Sequence, residues 1–179
     1  MRIIGGKWRG RRIHIPSKSW PVRPTTDFAR EALFNILDNR LDYEHASALD
    51  LFGGTGMHSI ELVSRGCADV TYVDRYKDSV RFMQSYVKEE QLPIKVVLSD
   101  VRKFIASAAR QWDYIFADPP YDMREIELFP TFVLESNVLT PKGFFILEHS
   151  SLFHFQQIPG FKEARHYGQT VFSFFTQAS

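Results

Sequence analysis

A single cysteine, Cys67, is the whole thiol inventory of this 179-residue chain. That excludes an internal disulfide framework and fits a reducing compartment, the cytoplasm. No window approaches the ~20 apolar residues of a membrane span. The opening Met1-Arg2-Ile3-Ile4-Gly5-Gly6-Lys7-Trp8-Arg9-Gly10 carries no apolar stretch of signal-peptide length. Internal repeats and low-complexity tracts are absent as well. With 44% hydrophobic and 24% charged residues, disordered, collagen-like and coiled-coil readings fall away. The length implies one domain, at about 100–200 residues per domain, with room for a small appendage. Sixteen Phe and three Trp supply a core that needs no metal staple. His149, His154 and His166 have no cysteines beside them, so no metal site is expected and they receive no role.

The net charge of +1 hides a strong asymmetry. Residues 1–30 hold eight basic groups (Arg2, Lys7, Arg9, Arg11, Arg12, Lys18, Arg23 and Arg30) against one acidic group, Asp27, for +7. The remaining 14 basic and 20 acidic groups leave −6. A basic arm on an acidic body suits an anionic polymer, with Arg2, Lys7, Arg9, Arg11, Arg12 and Arg23 as the expected phosphate contacts. A solvated surface hairpin is the plainer alternative.

Arg2-Ile3-Ile4 and Arg12-Ile13-His14-Ile15 read as two short strands of a β-hairpin, bent at Gly5-Gly6 and Gly10. Pro16, Pro21 and Pro24 mark an extended linker. The expected division is therefore an arm and linker over 1–22 and one domain over 23–179. Thr25-Thr26-Asp27 opens a helix whose Ala29, Leu33, Ile36 and Leu37 form an apolar face. Strands are expected over 48–52, 70–74, 94–98, 114–117 and 144–148. Helices over 57–64, 76–89, 101–109 and 125–138 alternate with them, the last bent by Pro130. Residues 161–176 read as an antiparallel pair turned near Gly168. Such alternation predicts an α/β fold: a Rossmann-like, doubly wound, mostly parallel sheet closed by an antiparallel C-terminal pair.

Four segments carry chemistry. Asp50-Leu51-Phe52-Gly53-Gly54-Thr55-Gly56 ends the first strand, where glycines let a backbone approach a ligand. The dinucleotide fingerprint is incomplete, because Ser59 stands where its third glycine belongs. Asp74, with Arg75 after it, ends the second strand 18 residues beyond Gly56. It suits the two hydroxyls of a ribose or, alternatively, a helix cap. Ser99-Asp100-Val101 follows the third strand, where Asp100 can accept from an adenine amino group or cap the next helix. Asp118-Pro119-Pro120-Tyr121 follows the fourth strand. Two prolines fix a rigid extended turn. Asp118 and a proline carbonyl can hold both donors of a planar amino group, and Tyr121 can stack on the ring that bears it.

With these motifs the chain resembles the class I, S-adenosylmethionine-dependent amino-methyltransferases. Arg23-Pro24-Thr25-Thr26-Asp27 with Arg30-Glu31-Ala32-Leu33-Phe34-Asn35-Ile36-Leu37 resembles, more narrowly, the bacterial small-subunit rRNA guanine-N2 methyltransferase family (RsmD). Ile3–Arg11, Asp50-Leu51-Phe52 and Ser64-Arg65-Gly66 are similar to that family too. The resemblance implies methyl transfer to the N2 amine of one guanine in 16S rRNA, free or in the assembling 30S subunit. It implies catalysis at Asp118, Pro119, Pro120 and Tyr121. It implies a cofactor seat at Asp50, Phe52, Gly53, Gly54, Gly56, Asp74, Arg75, Asp100 and Val101, with Asp50 and the glycines at the methionine part. A monomer without a membrane partner is expected. The chain departs from the family pattern at Gly53, Thr55 and Met57-His58-Ser59, and at Phe28, which stands where a basic residue is common. A DNA or protein-amide methyltransferase shares the motif pair but lacks the Arg-Pro-Thr helix start. A nicotinamide dehydrogenase shares only the fold class. A non-catalytic RNA-binding module leaves the Asp-Pro-Pro-Tyr turn unexplained.

Overall fold

The computed structural model describes residues 1–16, 20 and 25–178; Lys18, Pro21, Arg23 and Pro24 lie outside them. In chain order the elements are α1 (Asp27–Leu37), β1 (Ser47–Leu51), α2 (Met57–Ser64), β2 (Asp69–Asp74), α3 (Lys77–Glu90) and β3 (Ile94–Leu98). They continue with α4 (Val101–Ser107), β4 (Trp112–Ala117), α5 (Phe129–Glu135), β5 (Leu139–Ser150), β6 (Phe161–Tyr167) and β7 (Thr170–Thr176). Among the described residues they build one seven-stranded sheet in the order β3-β2-β1-β4-β5-β7-β6. The first five strands pair in parallel, and β7 runs antiparallel to both β5 and β6. From β1 the chain winds outward to β2 and β3, then returns to β4 on the other side. The strand order thus reverses between β1 and β4, which opens a crevice at their carboxyl ends.

Side chains alternate across this sheet, and two cores follow from the alternation. Ala48, Tyr72, Tyr114 and Phe116 pack with Leu33, Phe34, Leu37, Ile60 and Met83 under α1, α2 and α3. Leu49, Leu51, Val73, Ile115 and Ala117 pack with Val101, Ile105, Phe129, Val133 and Phe145 under α4 and α5. On α1 the buried face is Ala29, Arg30, Leu33, Phe34 and Leu37, so Phe34 takes the place expected of Ile36. Thr26 caps the helix by accepting from the Ala29 N–H.

Three local expectations are corrected. The two N-terminal strands shrink to one bridge, Arg2 to Arg12, with a 3₁₀ turn at Gly6–Trp8. The ladder stops because the N–H groups of Ile4 and Gly5 donate to the Glu61 carboxylate, at 2.9 and 2.7 Å. Pro130 does not bend a long helix. It sits in the first turn of α5, where its missing N–H costs nothing, after a 3₁₀ turn at Ile126–Leu128. Finally, β5 starts five residues earlier than Phe144 and absorbs a register shift against β4.

The same carboxylate explains why α2, which carries His58, Ser59, Glu61 and Ser64, is buried on every side. The arm covers its outer face. Ser64 accepts from the Trp8 N–H and donates to the Gly5 carbonyl. Ile3 and Ile13 join the α1–α2 core. No helix among the described residues is long and apolar enough to cross a membrane.

Candidate active site

Strand register gathers three of the four motifs. Leu51 pairs with Ala117 on one side and with Val73 on the other. The residues that follow these paired positions, Phe52, Asp118 and Asp74, therefore emerge side by side. Backbone bonds hold them there: the Gly53 N–H donates to the Val73 carbonyl and the Asp118 N–H to the Leu51 carbonyl. Phe52 has φ 58°, a left-handed conformation that bulky residues rarely adopt. Strain of this kind, of order 1–3 kcal/mol, collects at functional sites.

Asp74 ties the glycine turn to β2. Its Oδ2 accepts from the Gly54 N–H at 2.8 Å and its Oδ1 from the Tyr76 N–H at 2.7 Å. Each oxygen keeps a further lone pair for a ligand hydroxyl. The Tyr72 hydroxyl donates to the Gly54 carbonyl at 2.7 Å from within the core. Gly54 and Gly56 have φ of 52° and 76°, and Gly56 is the residue before α2.

Two adjoining cavities result. The larger, roughly 430 Å³, is lined by Phe52, Gly54, Asp74, Arg75, Tyr76 and the whole 118–122 turn, a size that suits a nucleoside-sized ligand. Pro119 is buried and anchors the turn, while Pro120 and Tyr121 are exposed on its rim. The smaller, about 40 Å³, runs inward beneath Gly53 and Gly54 to Arg30, Asp50 and His58. Phe52, Gly54 and Asp118 line both.

Asp50 belongs to the inner cavity. It is 1% exposed, accepts from the Ser59 hydroxyl at 2.6 Å, and also accepts the Ser59 backbone N–H in the first turn of α2. Burial raises its carboxyl to about 7, against the lowering effect of Ser59. Burial likewise lowers His58 to about 3, so this ring is neutral; it stacks on Phe116 and meets the Tyr114 hydroxyl. A folded carboxyl that keeps its proton to about pH 7 binds more protons than the unfolded one between pH ~4 and 7. Its contribution to stability therefore falls as pH rises through that window and is level above it. Asp50→Asn, which stays neutral, is expected to gain stability relative to the wild type from pH 4 to 7. Urea unfolding of both proteins across that range tests this, and parallel curves would contradict it.

Asp100 and Val101 line neither cavity. Asp100 Oδ1 accepts from the Lys103 N–H and caps α4, and Val101 is core. Arg2, Lys7, Arg9, Arg11 and Arg12 are all exposed on the arm, although Arg11 pairs with Glu90 of α3. Arg23 is outside the described residues. His149 is a buried histidine bonded to Ser173 and to the Ser150 carbonyl. Among the described residues no group of His, Cys, Asp or Glu is placed to hold a metal ion.

Sequence reasoning missed one feature. Arg30, counted there among the arm's charges, is 3% exposed and faces the inner cavity. The signal was present: positions 30, 33, 34 and 37 share one helical face, so this arginine lies on the apolar stripe. Phe28, where the sequence departs from the family pattern, is 70% exposed and meets Tyr167 edge-on, and the Thr25 hydroxyl donates to Glu148 at 2.8 Å.

A doubly wound sheet with its ligand crevice at the β1–β4 switch, and an Asp-Pro-Pro-Tyr turn facing a glycine turn, defines a class I methyltransferase fold. Residues 1–176 match the family model described as Conserved hypothetical protein 95, and the chain belongs to that family, the RsmD methyltransferases. Ribosomal RNA small subunit methyltransferase D of Haemophilus influenzae is 30% identical over 154 residues, covering 83% of this chain and 78% of the relative. The protein of the same name from Escherichia coli K12 is 35% identical over 122 residues, covering 68% of this chain and 60% of the relative. A hypothetical protein of Thermus thermophilus has a TM-score of 0.83 at 28% identity, covering 98% of this chain and 99% of that one. The 16S rRNA N2 methyltransferase RsmC of the same organism, solved with AdoMet and guanosine, has a TM-score of 0.69 at 22% identity, covering 86% of this chain and 44% of that one. This last likeness is one of fold.

Proposed function

We propose that the chain methylates the N2 amine of one guanine in 16S rRNA, in the cytoplasm, with S-adenosylmethionine as methyl donor. The single observation that carries this is the larger cavity, where an acidic Asp-Pro-Pro-Tyr turn faces Asp74, Phe52 and Gly54. The donor set fits the cofactor. Asp74 has lone pairs for the ribose hydroxyls, Gly54 offers close backbone, and Arg75 flanks the opening. Asp100, with one carboxylate oxygen beyond the α4 cap, stands as the proposed adenine contact, and Val101 supports it from the core. When bound, the cofactor supplies a methyl group already activated by a sulfonium.

The protein's task is then alignment. A guanine N2 lone pair is delocalised into its ring and attacks poorly. Asp118 accepts from the amine, orients its lone pair towards the methyl carbon and offsets the positive charge that grows on nitrogen. The Pro119 and Pro120 carbonyls border the same turn, and Tyr121 stacks on the unpaired base. A sulfonium donor held there would leave as a neutral thioether that keeps the electron pair of the broken bond, so no residue of the chain has to take it up. The amine then loses a proton, so no strong base is required. Transfer of labelled methyl to 30S subunits or to naked 16S rRNA, followed by identification of the modified base, tests the proposal. N2-methylguanine in either is the expected product, and absence of label in both would overturn it.

The exposed arm is the proposed rRNA clamp. Arg11 already shares its charge with Glu90, so Arg9 and Arg12 carry the cleaner test. Each phosphate contact contributes about 0.9 to the slope of log affinity against log salt on a duplex and about 0.7 on a single strand. Replacing Arg9 and Arg12 by Ala is expected to weaken rRNA binding and flatten that slope by about 1.4–1.8, with cofactor affinity unchanged. Methylation at saturating rRNA should survive better than methylation at low rRNA. A solvated hairpin would leave the slope at its wild-type value.

A further inference from the structure

Among the described residues only two phenyl or phenol rings are exposed, Phe28 and Tyr121. Tyr121 belongs to the proposed acceptor turn. Phe28 stands in the first turn of α1, and strand register brings the start of that helix to the same end of the sheet. Ala117 pairs with Leu147, so Glu148 emerges beside Asp118, and the Thr25 hydroxyl donates to Glu148. Thr25 and Asp118 also line one cavity. The start of α1 therefore flanks Asp118 on the side away from Asp74. The arm lies there too, because Arg30 donates to both the Arg2 carbonyl and Asp27.

Tyr167 reaches this end of the sheet from its far edge. Ser150 pairs with Thr170, and Thr170 with Tyr167, so the β6–β7 turn projects where β5 ends. Three strand spacings, about 14 Å, separate β6 from β4. Tyr167 packs against Phe172 and meets Phe28 with ring centroids 6.1 Å apart. From Tyr167 a groove of about 410 Å³ runs between α1 and β6, lined by Ala32, Asn35, Asn39, Arg40 and Arg165. Phe28, Ala32 and Asn35 share one face of α1. Arg40 and Arg165 share a single carboxylate, Glu163, which leaves the groove a surplus positive charge. An open aromatic ring leading into a groove of amides and cations suits a nucleotide strand. An apolar protein partner would find little apolar surface beyond the ring.

Resting on the rRNA methyltransferase reading, we propose that Phe28, backed by Tyr167, stacks on an unpaired base that flanks the target guanine, and that the groove beyond it carries the adjoining backbone past Arg40 and Arg165. Tyr121 and Phe28 then hold two different bases of one strand. A basic residue at position 28 would contact phosphate, and that contact weakens with salt. A stacked ring replaces it with a contact to the base itself, whose strength does not depend on counterion release.

Steady-state methylation tests this with Phe28→Ala, Phe28→Leu and Phe28→Trp, on whichever substrate the wild type labels, 30S subunits or naked 16S rRNA. The side chain is exposed, so all three variants should fold, and calorimetry with S-adenosylmethionine should return the wild-type affinity. Phe28→Ala and Phe28→Leu should raise KM for the RNA substrate about 5–150-fold, the loss of one base–aromatic stack, with kcat retained. Phe28→Trp should keep the wild-type KM, because any flat ring serves a base. The slope of log affinity against log salt should not change in Phe28→Ala, unlike the Arg9 and Arg12 replacement. A wild-type KM in Phe28→Ala would overturn the assignment while leaving the methyltransferase reading intact. A wild-type KM in Phe28→Leu beside a raised one in Phe28→Ala would also overturn it, and would point to an apolar protein surface as the occupant. Failure of the wild type to label either substrate would overturn the methyltransferase reading and this assignment with it.

Discussion

Asp118→Ala is expected to lower kcat by about 10²–10³-fold, the usual loss when a group that answers transition-state charge is removed, with S-adenosylmethionine affinity close to wild type. The side chain sits past β4, on the turn that faces the acceptor side, and the ribose is served separately by Asp74. Asp118→Asn separates the two parts of its role. An amide carbonyl still orients the amine but does not offset its positive charge, so an intermediate rate is expected. Single-turnover methylation with bound cofactor reads the chemical step directly. A wild-type rate in Asp118→Ala would remove the turn from catalysis.

Gly53→Ala is the second large effect, and here the cause is space. A Cβ on Gly53 would lie 2.3 Å from Cδ2 and from Cε2 of Tyr72. That ring is fully buried and cannot swing aside without surrendering its bond to the Gly54 carbonyl. Overpacking of this kind costs about 1–3 kcal/mol. Relief by moving the turn would shift Gly54 away from Asp74 and deform both cavities. A lowered Tm together with a loss of S-adenosylmethionine binding is expected. Gly168→Asn is the control. It lies in the β6–β7 turn at φ 63° with nothing within 4 Å of an added Cβ, and asparagine tolerates that conformation. Its Tm and cofactor affinity should stay near wild type. If Gly53→Ala matched it, the contact with Tyr72 would not constrain the turn.

Motifs that end strands were legible because parallel pairing leaves little choice about where they go. Once β1, β2 and β4 are adjacent, Phe52, Asp74 and Asp118 must converge. Their sequence spacing carries that information without any knowledge of side-chain contacts. Asp100 shows the limit. A carboxylate after a strand and before a helix satisfies two local rules at once, and in the structure it caps α4. Glu61 was illegible for a different reason. Its i,i+4 pair with Arg65 is local, but what buries it is a pair of backbone N–H groups some 57 residues away, and backbone donors look alike in every sequence. Arg30 lay between these cases. Its charge placed it with the arm, while its helical phase placed it on the buried face, and burial prevailed because its charge pairs with Asp27.

The insertion of β7 between β5 and β6 has a consequence for synthesis on the ribosome. Strand β6 is translated first, yet it has no neighbour until β7 has emerged to bridge it to β5. Until then β5 presents an open edge, and Phe145, Ile146 and Leu147 there belong to the cores. An unpaired apolar edge invites association with other chains. A nascent chain stalled before Thr170 should therefore be a poor substrate for folding and a good one for a chaperone, even though every residue of the proposed catalytic turn has already been made.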